Sequence, residues 1–300
     1  TIAGLRLSTR ANAVSQLHAE TARRMWQGVQ GASPIVGITN GIHLPSWQDR
    51  RIAALPRPVD PRAFWQVHQT LKQELIDFAA RRTGVRLLPD RLLIGFARRA
   101  APYKRSDLIF RRPEFIEPLL ASQRLQLIFS GKAHPLDDTG KGIVARLAEM
   151  ARRHPQSVVF LENYDMEIAA HMTRGCDVWL NNPRRPMEAS GTSGMKAASN
   201  GVLNLSTLDG WWPEACHHGE NGWQFGDGYE GESDSQDERD LEALYRVLQQ
   251  EVLPTYYDHR EKWLAMMIAS LELAEPFSAR RMLDEYYNRL YIPALMDQQN

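Results

Sequence analysis

The sequence lacks several features that would assign its class at once. Only two cysteines occur in 300 residues, Cys176 and Cys216, and they form no CxxC pair. This excludes a disulfide framework and fits a reducing compartment. No apolar run approaches the ~18–20 residues that a membrane-spanning helix needs. No signal peptide opens the chain, although a truncated start would remove that test. We expect a cytoplasmic protein with no membrane partner.

The chain also lacks an excess of charge of either sign. Lys plus Arg and Asp plus Glu both total 36, giving a formal net charge of zero. Such a balance gives no bulk electrostatic attraction to the phosphate backbone, so no nucleic-acid partner is expected. The nucleotide-binding pattern G-x-x-x-x-G-K-[ST] is absent as well. A neutral polyol substrate is compatible with this composition but is not implied by it.

What the chain does have is a series of continuous apolar segments alternating with helical ones. Strands are predicted at 35–38, 92–97, 125–131, 158–162, 178–182 and 202–206. Helices are predicted at 10–29, 61–82, 104–121, 140–153, 166–174, 194–199, 239–253, 255–273 and 277–292, and a polar loop at 226–240. This alternation indicates an α/β protein with a doubly wound parallel sheet covered by helices on both faces.

The most informative segment is a run of small residues that ends at a lysine. Ser190, Gly191, Thr192, Ser193 and Gly194 precede Lys196, and helix-forming residues follow it. Small residues let main-chain N–H groups approach an anion closely, and a helix N-terminus adds positive potential. A lysine there can hold a phosphate or condense with an aldehyde such as pyridoxal phosphate. A simple turn before a helix is the alternative that composition alone leaves open.

Two further segments suited to binding phosphate follow predicted strands. They span 97–105 and 131–134, and the lysine segment at 188–196 follows another strand. Because ligands bind at the carboxyl ends of parallel strands, all three segments could converge on one site. Residues 98–105 carry four cations, Arg98, Arg99, Lys104 and Arg105. For Arg98 and Arg105, a solvated start of a helix remains an equal alternative.

The motifs together resemble the α-glucan phosphorylases of glycogen, starch and maltodextrin, and most closely the short bacterial type. The lysine segment EASGTSGMKAASNG (188–201), followed by LDGWWPE, resembles their cofactor-lysine segment. The other matching segments are ANAVSQLHAE (11–20), ITNGIHLPSW (38–47), IGFARRAAPYKR (94–105), FSGKAHP (129–135), FLENYDMEIA (160–169) and FSARRMLDEYYNRLYIP (277–293). These segments occur in the family's order and span nearly the whole chain.

The resemblance implies the C-terminal, Rossmann-like half of a two-domain GT-B glycosyltransferase fold. Residues 1–40 would be a remnant of the N-terminal domain and the junction. Residues 41–276 would form the cofactor-binding domain, and 277–300 the helix that crosses back onto the N-terminal domain. We therefore expect a missing N-terminal half, little activity for the chain alone and an exposed apolar face on the last helix.

The family's cofactor is pyridoxal 5′-phosphate, and its residues carry over by position. Lys196 would bind the cofactor covalently, and Thr192, Ser193, Gly194 and Tyr164 would surround it. The family usually has Gly-Asn where this chain has Ser193-Gly194, which leaves the donor geometry there open. A buried core tyrosine is the alternative reading of Tyr164.

Substrate contacts carry over in the same way. Arg99 and Lys104 match the family's phosphate-binding cations, and with Lys196 they form the predicted catalytic set. Residues Glu188, Ser190, Gly191 and Asn40 match positions that bind sugar hydroxyls, which carboxylates and amides suit as acceptors. Lys132 is a further candidate cation.

The activity that the resemblance implies is phosphorolysis of terminal α-1,4-glucosyl units to α-glucose 1-phosphate. The partners would be an α-1,4-glucan, inorganic phosphate, the N-terminal half and, in a homodimer, a second copy. Two alternatives stay open: a nucleotide-sugar glycosyltransferase of GT-B fold without pyridoxal phosphate, and a non-catalytic half-domain. Trp211 and Trp212 either stack on sugar or belong to the core. Adjacent His217 and His218 have no third ligand at suitable spacing, so no metal is predicted.

Overall fold

The computed structural model describes residues 1–297, and its centre is a parallel sheet of six strands. In the order β5-β4-β3-β6-β7-β8, every neighbouring pair is parallel. The strands are β3 (Leu92–Ala97), β4 (Leu125–Ser130), β5 (Val158–Leu161), β6 (Val178–Asn181), β7 (Leu203–Thr207) and β8 (Gly222–Phe225). Strand order reverses direction between β3 and β6, which places a topological switch point at the middle of the sheet.

Helices cover both faces of this sheet and continue to residue 297. They are α1 (Ile2–Leu7), α2 (Gln16–Trp26), α3 (Leu44–Trp47), α4 (Arg50–Ala53), α5 (Pro61–Thr83), α6 (Pro113–Ala121), α7 (Asp138–Arg153), α8 (Met166–Gly175), α9 (Thr192–Ala198), α10 (Trp212–Ala215), α11 (Ser233–Val247), α12 (Leu253–Asp258), α13 (Arg260–Glu272), α14 (Ala279–Tyr286) and α15 (Ile292–Asp297). Short 3₁₀ turns lie at Pro102–Lys104 and Leu108–Phe110, and π turns at Leu248–Val252 and Tyr287–Tyr291.

Alternate residues of β3 belong to two hydrophobic clusters, one on each face of the sheet. All six residues of the strand are buried, as the continuous apolar run predicts. Ile94 and Phe96 pack with the larger cluster, which contains residues of α6, α7 and α11 to α13. Leu93 and Ala97 point to the other face, against α5 and α8. The doubly wound, Rossmann-like arrangement predicted for this half of a GT-B fold is thereby confirmed.

The N-terminal segment differs from the single helix predicted for 10–29. Residues Ala11–Ala13 form β1, which pairs in parallel with β2 (Ile35–Gly37). The helix begins only at Gln16, because the Ser15 side chain accepts a hydrogen bond from the His18 N–H and caps it. The segment has the apolar periodicity of a helix, but its residues 11–13 pair as a strand instead.

Two other sequence-based assignments were wrong in part. The helix predicted at 104–121 consists of two 3₁₀ turns and then α6, since Arg105 adopts a left-handed φ of 50° that ends the first turn. The polar loop predicted at 226–240 ends earlier, because α11 begins at Ser233. Strand β8 carried too weak a pattern to be predicted.

The boundaries proposed at residues 40 and 276 stay a prediction. Across the first, Glu214 accepts hydrogen bonds from the Gln16 main-chain N–H (2.8 Å) and from the Thr39 hydroxyl (2.6 Å). The final segment leaves large apolar side chains exposed, including Leu283, Tyr287 and Leu295, as was expected of it. Positions 298–300 of that segment lie outside the described residues. A search of residues 1–297 finds no helix long and apolar enough to cross a membrane.

Candidate functional site

A cavity of about 540 Å³ opens at the carboxyl ends of β3 and β6, beside the switch point. Its lining residues are Val14, Asn40, Ala97, Arg98, Arg99, Lys104, Tyr164, Glu188, Ala189, Ser190, Gly191, Thr192, Ser193 and Lys196. All predicted site residues except Gly194 and the further candidate Lys132 are among them, and Gly194 is buried directly behind, in α9. Segments more than 150 residues apart in sequence therefore converge on one cavity, as expected for an open parallel sheet.

Lys196 projects from α9 with its ammonium under an aromatic ring. Its Nζ lies 3.6 Å from the centroid of the Trp47 ring. Burial lowers the pKa of Lys196 below its ordinary value, because the charged form loses water. A larger fraction of neutral amine is therefore present near neutral pH. Sequence reasoning gave no role to Trp47, although it ends the matched segment ITNGIHLPSW.

The small residues before Lys196 are required by close packing. A Cβ on Gly194 would lie 2.6 Å from Asn204 Oδ1, and the Asn204 amide donates to the Gly194 carbonyl. Gly191 has a φ of 84°, which favours glycine. Ser193 Oγ accepts a hydrogen bond from the Trp179 indole at 3.3 Å. The run thus brings main-chain groups to the cavity wall.

Glu188 lies between two cations at the cavity floor. Its Oε2 is 2.6 Å from Lys104 Nζ and 2.6 Å from Arg98 Nη2. Burial acts to raise the pKa of Glu188, but Arg98 and Lys104 together hold it below its ordinary value. The carboxylate is therefore ionised at neutral pH. Arg98 is 8% exposed, so the solvated alternative for this residue was wrong.

Arg105 is buried but points away from the cavity. Its guanidinium donates to the carboxylates of Asp237 and Asp240 and to the carbonyls of Asn182 and Pro183. The solvated alternative was wrong here too. These bonds fix the turn that carries Lys104 against the end of β6 and against α11.

The remaining predicted residues take different places around the rim. Arg99 is exposed at the mouth, and Tyr164 is half-buried with its pKa raised by burial. The main chain at Asn40 is held by Arg281, whose guanidinium donates to the Asn40 carbonyl at 2.9 Å. Lys132 is exposed and does not line the cavity.

The sequence left open whether Trp211 and Trp212 stack on sugar, and it raised the question of a metal site at His217 and His218. Trp211 and Trp212 are 2% and 1% exposed and pack with Phe277, so both belong to the core. His218 Nε2 pairs with Glu251 at 2.8 Å. Within residues 1–297 no group of three His, Cys, Asp or Glu side chains could hold a metal ion.

Fold and site together define a Rossmann-like α/β unit with a lysine and several cations around a cavity at the switch point. Residues 59–238 match the model of the carbohydrate phosphorylase family. The chain therefore belongs to the carbohydrate phosphorylase family.

Individual relatives agree with this assignment. The chain is 39% identical to the maltodextrin phosphorylase of Thermococcus litoralis, over 98% of this chain and 41% of the relative. It is 38% identical to the glycogen phosphorylase of Aquifex aeolicus, over 99% of this chain and 50% of the relative. A glycogen phosphorylase of Mycobacterium tuberculosis is 39% identical to the chain, over 97% of this chain and 40% of the relative. The chain thus spans half or less of the length of these relatives.

Proposed function

We propose that this chain carries the cofactor and phosphate site of an α-glucan phosphorylase. The reaction would cleave terminal α-1,4-glucosyl units with inorganic phosphate and release α-glucose 1-phosphate. The observation that carries the proposal is the convergence of Lys196 with Arg98, Arg99 and Lys104 around one cavity. Relatives named maltodextrin and glycogen phosphorylase support the choice of an α-glucan as substrate.

The residues present fit pyridoxal 5′-phosphate as the cofactor. Lys196 has the lowered pKa that a lysine needs to condense with an aldehyde, and it lies at the cavity wall. Thr192, Ser193 and Gly194 would offer main-chain N–H groups and hydroxyls to a phosphate, with Tyr164 beside them. When bound, the cofactor supplies a phosphate group that can exchange a proton with the substrate phosphate.

The cations are suited to hold a second phosphate close to the first. Arg99 is exposed at the mouth, where its guanidinium can grip a phosphate in bidentate fashion. Lys104 lies deeper, is 6% exposed and acts as a point charge between two anions. Such charges offset the repulsion of neighbouring phosphates and stabilise negative charge during transfer. We assign Arg99, Lys104 and Lys196 as the catalytic set.

The sugar would be held next to these cations, by the loop that carries Glu188. Glu188 is ionised and can accept hydrogen bonds from sugar hydroxyls, as can the Asn40 side chain. Ser190 and Gly191 complete this wall, and the Ser190 hydroxyl is buried without a partner among the described residues. Because phosphate is the nucleophile, no pair of glycosidase carboxylates is required.

The first test is covalent trapping of the cofactor. The purified chain is scanned for absorbance with pyridoxal phosphate, reduced with borohydride and mapped by mass spectrometry. We expect a stable adduct on Lys196 that is lost in Lys196→Ala and kept in Lys132→Ala, the matched exposed lysine. A folded chain with no adduct, or with label spread over surface lysines, would contradict the cofactor assignment.

The second test separates the proposed activity from the alternatives. The chain with pyridoxal phosphate, maltoheptaose and phosphate is assayed for α-glucose 1-phosphate, and in parallel with nucleotide sugars. Phosphorolysis that depends on the cofactor supports the proposal. Glucosyl transfer from a nucleotide sugar without the cofactor would support the GT-B transferase instead. An adduct with neither activity would mark the chain as a cofactor-binding unit that is not catalytic by itself.

The proposal has three finer parts. We place the protein in the cytoplasm, which its two free cysteines support. The requirement for an N-terminal half and assembly into a homodimer stay predictions. Size-exclusion chromatography with light scattering would measure the oligomeric state directly.

A further inference from the structure

We propose that Asp209 is a positioning residue that sets Glu188 for sugar binding through the main chain. This inference rests on the proposed function, because it concerns the sugar side of the same cavity. Asp209 does not line the main cavity itself. It lies behind the loop that carries Glu188 and Ser190, in the turn after β7.

The first observation is a pair of hydrogen bonds to one carboxylate. Asp209 Oδ2 accepts from the Glu188 main-chain N–H at 2.9 Å, and Oδ1 accepts from the Gly210 N–H at 2.8 Å. Asp209 is 3% exposed. A buried carboxylate that receives two N–H groups can fix the peptides that donate them, because no water competes for those bonds.

The second observation is that the same turn holds Ser190 from the other side. The Trp211 N–H donates to the Ser190 carbonyl at 2.8 Å. Gly210 has a φ of 61°, and a Cβ there would lie 2.3 Å from that carbonyl. The turn 209–211 therefore clamps both ends of the segment 188–190, and only glycine permits the approach at its centre.

The geometry makes the clamp depend on the ionisation of Asp209. Protonation converts one carboxylate oxygen from an acceptor into a hydroxyl, which weakens one of the two N–H contacts. Burial raises the pKa of Asp209 to about 7, and the neighbouring charge of Glu188 acts in the same direction. Asp209 is thus half ionised near pH 7, and the clamp strengthens above that pH and weakens below it.

Other charged groups near Asp209 do not titrate in this range. Glu188 keeps a lowered pKa, and the other charged groups that face Asp209 are arginines. Arg185 lies on the same loop as Glu188, and Arg98 lines a small cavity together with Asp209 and Glu188. An inflection near pH 7 is therefore assigned to Asp209.

The test compares binding of α-glucose 1-phosphate and inorganic phosphate by calorimetry between pH 5.5 and 8.5. The wild-type chain is compared with Asp209→Asn. The control is Asp227→Asn, where an exposed aspartate likewise accepts a main-chain N–H. We expect Asp209→Asn to keep phosphate affinity within about twofold and to lose about tenfold in the preference for the sugar phosphate at pH 8. At each pH, the sugar-phosphate preference of the wild-type chain is divided by that of the variant, which cancels the titration of the ligand. This ratio should decrease as the pH is lowered below 7.

Two further measurements separate positioning from a general structural effect. Hydrogen exchange of the Glu188 amide should accelerate in Asp209→Asn without ligand, whereas the urea midpoint should move little. In a Glu188→Gln background, Asp209→Asn should cost little further sugar preference, because both changes act through one side chain.

Each result decides between the two proposals. Unchanged Glu188 exchange and unchanged sugar preference in Asp209→Asn would overturn the positioning role and leave the proposed function standing. Additive losses in the Glu188→Gln background would also overturn it. A folded wild-type chain that binds neither phosphate nor sugar phosphate would overturn the proposed function and the role of Asp209 in binding, even if the Glu188 amide responds.

Discussion

At the scale of single residues, the site combines groups whose ordinary ionisation is changed by burial. Lys196 loses water and gains a tryptophan ring above its ammonium. Glu188 is partly buried as well, but two cations within 2.6 Å keep it charged. One group is thus shifted toward its neutral form and the other held in its charged form, as acid–base and recognition chemistry at one site requires.

The altered ionisation of Lys196 can be measured. Reductive ¹³C-methylation followed by NMR titration should give Lys196 a pKa below that of exposed Lys132, because burial disfavours its ammonium form. Lys196→Arg assigns the resonance and serves as the control. Equal titration of the two lysines would show that the Trp47 contact offsets the cost of burial.

At the scale of secondary structure elements, buried ion pairs join helices to the sheet. Lys72 of α5 is 0% exposed, and its Nζ lies 2.6 Å from Asp177, directly before β6. The His68 Nε2–H donates to the same carboxylate at 3.0 Å, and the Tyr256 hydroxyl of α12 lies 3.1 Å from Lys72. The cluster therefore fixes both layers of helices against the strand whose carboxyl end reaches the cavity.

Replacing Lys72 should destabilise the fold, because the buried Asp177 carboxylate then lacks its ion-pair partner. Lys72→Met should lower the free energy of unfolding at pH 7 by about 3–5 kcal/mol, measured by urea unfolding, because Asp177 stays buried without its ammonium. The control is Lys141→Met, which removes a surface pair and should cost less than about 1 kcal/mol.

The same substitution should also change the response to acid. Burial acts to raise the pKa of Asp177, but Lys72 holds it below its ordinary value, so this stabilisation is present above about pH 4 and is lost as the pH falls further. Without Lys72 the carboxyl should protonate at higher pH. The difference between variant and wild type should therefore shrink between pH 7 and pH 4. A constant difference over that range would contradict this account.

At the scale of the whole molecule, the C-terminal segment presents an apolar surface. The side chains of Leu283, Tyr287, Tyr291, Leu295 and Met296 are each 48–62% exposed. The segment is nevertheless anchored at its start, where Arg281 donates to the carbonyls of Thr39 and Asn40. It is thus fixed to residues 39 and 40 while apolar side chains further along it are exposed.

This surface should bind an environment-sensitive dye. Leu283→Glu combined with Leu295→Glu should reduce 8-anilinonaphthalene-1-sulfonate fluorescence by about twofold or more, since glutamate interrupts a contiguous apolar patch yet suits a helix. The control Leu136→Glu removes an isolated leucine that is 87% exposed, and it should leave the signal unchanged. Equal signals in all three chains would show that the dye binds elsewhere.

The sequence by itself determined the alternation of strands and helices, because short continuous apolar runs that alternate with helical segments indicate buried parallel strands. It also determined the family, because the segments around Lys196, Lys104 and Tyr164 occur in a specific order. It did not give the register of local elements: pairing of Asn12 with Val36 replaced the start of a helix, and the φ of Arg105 interrupted another.

Only the tertiary structure decided how individual side chains are used. Arg98 and Arg105 have the same local pattern, yet one pairs with Glu188 at the cavity and the other with Asp237 and Asp240 behind it. Trp47 and Asp209 act on Lys196 and Glu188 through contacts that no spacing reveals. The physical reason is that burial and charge pairing depend on segments distant in sequence, which meet only when the sheet has formed.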